Sequence, residues 1–232
     1  MLKSTIKLSL ATLVLLLGCS RVDPAPQSVA SPAPNNQPPK TAVTPASDLL
    51  PDTLIVPGER VGPITRTTTR KDLVEQFGEA LLADEAVPVG EGMTQPGTAI
   101  DLGPERSLKV VWTDSSYTQP AEVRDLGPVW RTEQGIGVGI SLADLETQLG
   151  EFQLYGFGWD YEGTVLLEGT QLSQYQGLLF LRLRPESDAA KRFPDDYTKV
   201  LGDGLFSSSN PHIQVLAPTV YEAVVLLEVE TP

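Results

Sequence analysis

The sequence predicts an α+β body: two repeats of a short helix packed on antiparallel strands, preceded by a signal peptide and a disordered Pro-rich linker. Two observations carry this. A ten-residue segment occurs twice, 72 positions apart, as Thr69-Arg70-Lys71-Asp72-Leu73-Val74-Glu75-Gln76-Phe77-Gly78 and Ser141-Leu142-Ala143-Asp144-Leu145-Glu146-Thr147-Gln148-Leu149-Gly150. After each copy come short runs of β-branched and aliphatic residues punctuated by Gly, Pro and Asp, the composition of strands joined by tight turns.

Each copy opens on a hydroxyl residue suited to an N-cap, carries an acidic residue three positions later, and closes on Gly at C′, where a left-handed conformation is expected. Ile64 and Ile136 correspond upstream of the two copies. Leu73 with Phe77, and Leu145 with Leu149, are i, i+4 pairs that give each helix one apolar stripe. Helices this short do not persist alone, so packing on the following strands must hold them. The first copy is followed by expected strands at 98–102, 107–114, 121–125 and 128–132, and the second by 152–165 and 178–184. Residues 215–216 and 220–229 close the chain as strand, with Val224-Val225-Leu226-Leu227 reading as a central one.

The N-terminus reads as a lipoprotein signal. Lys3 and Lys7 precede an apolar run, Leu8 to Leu17, too short to span a bilayer permanently, and Leu16-Leu17-Gly18 leads to Cys19, the single cysteine of the chain. The segment resembles a lipobox, which implies that Cys19 is diacylated and cleaved from Gly18. By resemblance to the sorting behaviour of such lipoproteins, Ser20 rather than Asp at the following position implies that, in a two-membrane bacterium, the outer membrane is favoured over the inner one. Residues 1–18 form the signal peptide, 19–52 the lipid-anchored linker, and 53–232 the folded part, with repeats near 61–132 and 133–184 and a C-terminal strand region. Between Ser20 and Leu50 the linker holds seven prolines among Ala, Ser, Thr, Asn and Gln, a composition that cannot bury a core. At about 3.1 Å per residue in polyproline II conformation it reaches up to roughly 90 Å.

The chain has 30 acidic and 17 basic residues; losing Lys3 and Lys7 with the signal takes the formal charge from −13 to −15. Nucleic acid and anionic lipid are poor ligands for such a body, because both require clustered Lys and Arg.

Tyr155-Gly156-Phe157-Gly158-Trp159-Asp160-Tyr161-Glu162-Gly163 is the strongest candidate surface. In an extended strand Tyr155, Phe157, Trp159 and Tyr161 share one face, with Asp160 on the other. The expectation is a core layer beneath the second helix, with Trp159 buried. The functional alternative is an exposed aromatic platform for a sugar, a peptide or a partner protein, using Tyr155, Phe157, Trp159, Asp160 and Tyr161.

Catalytic signals are weak. His212, the single histidine, reads as a loop residue, and no activated nucleophile accompanies it. Metal-ligand spacing is absent, and no cofactor is expected. Asp160 with Glu162, and Asp195 with Asp196, read as solvated turns or edges rather than as calcium ligands or a hydrolytic carboxylate pair. Gly135-Ile136-Gly137-Val138-Gly139 lacks the lysine of a phosphate-binding loop.

The repeated pattern Ile-x4-Thr/Ser-x2-Asp-Leu-x3-Phe/Leu-Gly is similar to the helix-on-sheet repeats of the β-lactamase inhibitor protein and of the small SmpA/OmlA-type envelope lipoproteins. Val61-Gly62-Pro63-Ile64, Glu91-Gly92, residues 156–161 and Pro218-Thr219-Val220-Tyr221-Glu222 resemble a family of exported bacterial proteins without an assigned activity. The expectation is a lipid-anchored, non-enzymatic cell-envelope protein that binds a partner protein. The alternatives are a carbohydrate- or peptidoglycan-binding module built on the aromatic strand, and a carboxylate-based hydrolase.

Overall fold

A computed structural model of the chain describes residues 52–90 and 92–227. Cys19, the signal and the linker through Pro51, and the last five positions lie outside the described residues.

Three short strands lead in: β1 (Leu54–Val56), β2 (Arg60–Val61) and β3 (Ile64–Thr65). Helix α1 (Arg70–Phe77) follows, then a 3-10 turn at Glu79–Leu81 and a four-strand meander of β4 (Leu82–Gly90), β5 (Met93–Ile100), β6 (Leu108–Trp112) and β7 (Pro120–Arg124). Strand β8 (Arg131–Thr132) returns to pair in parallel with β1. Helix α2 (Leu142–Leu149) precedes β9 (Gln153–Tyr155), β10 (Val165–Leu166) and β11 (Leu179–Arg184). Helices α3 (Ala189–Arg192) and α4 (Pro194–Lys199), strand β12 (Leu205–Ser207), helix α5 (Pro211–Leu216) and strand β13 (Thr219–Leu226) complete the order.

The strands form three sheets: β3-β2-β1-β8, β10-β9-β12, and a six-stranded antiparallel sheet in the order β11-β13-β7-β6-β5-β4. The fold is α+β, with strands outweighing helices. Strand β13 joins the halves of the large sheet, pairing Val225 with Val123 of β7 and with Leu179 of β11. Alternation explains its burial. Ala223 and Val225 turn inward beside Leu181, Leu183, Val123, Val110 and Ile100, while Glu222 and Val224 turn to the outer face.

The two echo segments form α1 and α2, and both helices bury their stripes in one core: Leu73 and Phe77 from the first, Leu142, Leu145 and Leu149 from the second. Each buried aliphatic side chain contributes about 1.5–3 kcal/mol relative to exposure. Thr69 and Asp72 form a reciprocal capping box, the Asp72 amide donating to Thr69 Oγ1 at 3.2 Å and the Thr69 amide to Asp72 Oδ2 at 2.8 Å. Ser141 caps α2 through its hydroxyl alone, accepting from the Asp144 amide at 3.1 Å and donating to Asp144 Oδ2 at 2.7 Å. Ile64 and Ile136 are both fully buried. The strands that follow diverge: β4 to β7 stay in the large sheet, whereas β9 and β10 leave for a small one, and β11 returns to the large sheet at its opposite edge.

Several expectations need correction. The closing glycines have positive φ as expected, but Gly78 (φ 84°, ψ 143°) and Gly150 (φ 79°, ψ −168°) combine it with extended ψ, so neither is a left-handed helical cap. Residues 128–132 hold strand only at Arg131–Thr132. Residues 152–165 are not one strand, because Gly158 and Gly163 take positive φ and turn the chain between β9 and β10. Val215 and Leu216 belong to α5, where Pro211 opens the helix and Asn210 Oδ1 accepts from the His212 amide at 2.9 Å. His212 is therefore helical rather than in a loop. Strand β4 went unread because Asp84, Glu85 and Pro88 break its apolar alternation; they suit an edge strand, which β4 is.

Candidate functional site

The outer face of the large sheet carries a groove at its β11 end. Thr164, immediately before β10, bridges to Arg182 of β11, and beside that bridge opens a cavity of about 420 Å³. Its floor is Phe180 of β11 and Val224 of β13, cross-strand neighbours on the outer face. One wall is Val165 and Leu166 of β10; another is Tyr155 with Tyr161. The two tyrosines stack with centroids 5.0 Å apart and planes 27° apart. Phe180 stays 37% exposed and Tyr161 56% exposed, so large apolar side chains face solvent at an open concavity. Such lining is the composition of binding sites.

The polar end of the groove is a chain of charges. Arg124 Nη2 donates to Glu222 Oε1 at 3.1 Å, and Arg182 Nη1 donates to Glu222 Oε2 at 3.4 Å. Arg182 also donates through Nε to Thr164 Oγ1 at 3.2 Å and through Nη2 to the Asp160 carbonyl. The 156–163 turn is thereby tied to β11, and Gly163 is required there. Its φ is +62°, and a Cβ would lie 1.8 Å from the Leu183 carbonyl oxygen, whose residue donates its amide back to the Gly163 carbonyl at 2.9 Å. Behind Arg124 sits Glu122, whose Oε1 accepts from Arg124 Nη1 at 3.3 Å. Burial pushes the Glu122 carboxyl above the usual glutamate range, with Glu222 and Asp125 acting the same way and Arg124 opposing. On the rim, Arg184 pairs with Glu162 at 3.0 Å and lies 3.7 Å over the Tyr221 ring.

The five aromatic-segment candidates separate. Tyr155 and Tyr161 meet in the groove wall. Phe157 is fully buried in the core, and its amide donates to the Val200 carbonyl at 2.9 Å. Trp159 is 64% exposed, which overturns the expectation of a buried row. The reason is local: Gly158 at φ +81° reverses the period-2 alternation after Phe157 and throws Trp159 outward, beside Gly202. Asp160 acts through its main-chain carbonyl on Arg182.

Phe180, Arg182, Val224, Glu222 and Arg124 were not singled out from the sequence. A signal existed for Phe180: in Leu179-Phe180-Leu181-Arg182-Leu183-Arg184 it occupies the register of the two arginines, a large aromatic at a wet-face position. The remaining carboxylate candidates hold structural contacts. Glu162 pairs with Arg184, and Asp196 Oδ1 lies 2.8 Å from His212 Nδ1, linking α4 to α5. Among the described residues no group of three or more His, Cys, Asp or Glu is placed to hold a metal ion, and no helix is long and apolar enough to cross a membrane.

No protein-family model and no curated protein matches the chain. Among solved structures, the uncharacterized protein yfeY from Escherichia coli is similar, with a TM-score of 0.42 and 13% identity over 73% of this chain and 97% of that one.

Proposed function

We propose that the chain is a lipid-anchored envelope protein, attached through Cys19 to the outer membrane, whose folded part binds a partner protein in the groove over β11 and β13 without catalysing a reaction. The observation that carries this reading is the open, mainly apolar cavity between the Tyr155/Tyr161 stack and Phe180. Aromatic side chains in concave, half-desolvated positions are the anchors around which protein interfaces concentrate their affinity. The cavity is also of the size that receives one or two side chains of a partner.

The Arg124–Glu222–Arg182 chain favours a partner protein over a sugar. Its hydrogen-bonding groups are already engaged with one another and with Thr164 and Asp160, whereas a sugar needs several polar groups turned toward it. A carbohydrate-binding reading draws its support from the exposed ring of Trp159, which lies outside the cavity lining. Among the cavity-lining residues Glu222 is the single carboxylate, which gives the hydrolase reading no acid–base pair there.

Affinity purification from the envelope, run in parallel with the wild-type chain and a Tyr161→Ser/Phe180→Ser variant, tests the proposal. A protein retained by the wild type and lost by the variant, with unchanged melting temperature, is the expected result. Equal retention of every partner by both chains contradicts it, and retention of peptidoglycan fragments dependent on Trp159 establishes the carbohydrate reading instead.

A further inference from the structure

We infer that the partner presents to the groove an uncharged, proline-rich segment in polyproline II conformation, its rings against Tyr155, Tyr161 and Phe180 and its main-chain carbonyls accepting from Gln176 and the two tyrosine hydroxyls. The inference rests on the reading of the groove as a protein-binding site and adds the chemistry of the segment bound.

The charged groups of the groove are engaged among themselves. Every guanidinium nitrogen of Arg182 donates to a neighbour: Nε to Thr164 Oγ1, Nη1 to Glu222 Oε2 and Nη2 to the Asp160 carbonyl. Arg124 is shared among Glu222, Glu122 and the Pro88 carbonyl, with Asp125 3.9 Å from its Nε. Glu222 accepts a guanidinium at each carboxylate oxygen. A charged occupant would have to break one of these pairs to form its own, whereas a neutral one leaves them intact.

The groups available to an occupant are neutral donors. Gln176 borders the cavity, and its Oε1 accepts from the Leu167 amide at 2.8 Å and from the Glu168 amide at 3.1 Å. Two main-chain donors thus fix the oxygen, and the side chain has its Nε2 hydrogens to offer. Among the described residues Nε2 donates to no neighbour, and the Tyr155 and Tyr161 hydroxyls are likewise unbonded. A sugar brings hydroxyl donors as well as acceptors, and both oxygens of the lining carboxylate, Glu222, are already taken.

Donors set beside apolar walls select the form of the polypeptide. A segment laid over Phe180, Val224 and Leu166 loses water from its own N–H groups, and a buried donor without a partner is costly. Proline brings a main-chain carbonyl and no N–H. Consecutive prolines hold the polyproline II helix, which has no internal hydrogen bonds and keeps its carbonyls available. The Tyr155/Tyr161 stack, with centroids 5.0 Å apart, supplies the aromatic wall against which such segments dock. The cavity of about 420 Å³ has room for about one turn, three residues over roughly 9 Å.

Residues 20–232, the chain without its signal and Cys19, retain every core residue, since these lie between Ile55 and Leu227. Calorimetric titration with acetyl-Ala-Pro-Leu-Pro-Pro-Leu-Pro-amide, and with the same peptide carrying Ala for every Pro, tests the inference. The proline peptide is expected to bind about tenfold tighter, the effect of sparing one buried N–H. Gln176→Glu keeps an acceptor for the Leu167 and Glu168 amides and removes the donor pair; Tyr161→Phe keeps the ring and removes the hydroxyl. Each should weaken the proline peptide roughly two- to tenfold, the range for one neutral hydrogen bond. Unchanged affinity in both variants overturns the inference. Equal affinity of the two peptides also overturns it, and if Phe180→Ser weakens both equally, the groove reading itself still stands. Binding of neither peptide overturns it independently of whether the envelope partner depends on Tyr161 and Phe180. If residues 52–232 bind the proline peptide and residues 20–232 do not, the occupant is the chain's own linker and the partner assignment falls.

Discussion

Phe157 and Trp159 stand two positions apart in the sequence and take opposite environments, one fully buried and the other 64% exposed. Phe157→Ala should therefore cost about 3–5 kcal/mol, the range for deleting a buried aromatic, while Trp159→Ala should change stability by no more than about 0.5 kcal/mol. Chemical denaturation of both variants checks the pair. The residue types of this segment were legible as aromatic candidates, but their directions were not, since a single positive φ at Gly158 inverts the alternation on which the expectation rested. Glu122 gives a second residue-scale prediction. Folding raises its proton affinity, so its contribution to stability is fully present below the ordinary glutamate range and is lost as pH climbs through the raised value. Glu122→Gln removes that loss, leaving Arg124 bonded to Glu222 and to the Pro88 carbonyl. Its melting temperature should exceed that of the wild type near pH 7, with the difference shrinking toward pH 4. A difference that is constant with pH would show that folding leaves the proton affinity of Glu122 unchanged.

At the scale of elements, α1 and α2 were the most legible parts of the chain because their signals are local. A hydroxyl cap, an acidic residue at the third position, an i, i+4 stripe and a closing glycine are all set within ten residues. The closing glycines sit at positive φ with extended ψ, a region essentially reserved for glycine, although nothing lies within 4 Å of where a Cβ would stand. The obstacle to substitution is thus backbone strain rather than crowding. Gly78→Ala and Gly150→Ala should each lower stability by about 1–3 kcal/mol. Unchanged thermal midpoints would count against this geometry. The strands were harder to read, and β4 and the α3–α5 region hardest of all. An edge strand protected by Asp84, Glu85 and Pro88 has no alternation to detect, and four- to six-residue helices have too few turns to show a period.

The groove belongs to the whole molecule, which is why half of it could not be read along the chain. Tyr155 comes from the end of β9 and Tyr161 from the turn after it, Phe180 and Arg182 from β11, Glu222 and Val224 from β13, and Arg124 from β7; the sheet order β11-β13-β7 brings together Arg124 and Glu222, 98 positions apart. Pairing of β13 between strands distant in sequence is a long-range choice with no local marker. The proposed membrane attachment, in contrast, rests on a local sequence signal. Cys19→Ser should abolish incorporation of labelled fatty acid and leave an uncleaved precursor, because the chain has no other thiol. Labelled Cys19→Ser protein would remove the anchor from the account and leave the groove untouched.

Site-specific photocrosslinking from position 180 in the intact envelope addresses the central claim most directly, since it reads the floor of the groove in place. With a photoreactive phenylalanine analogue at Phe180, and the same analogue at exposed Glu75 on α1 as the control, the account predicts a discrete protein adduct at position 180 that is absent at position 75 and diminished by Tyr161→Ser. The same adducts at both positions, or none at position 180, would contradict a partner protein seated in this groove.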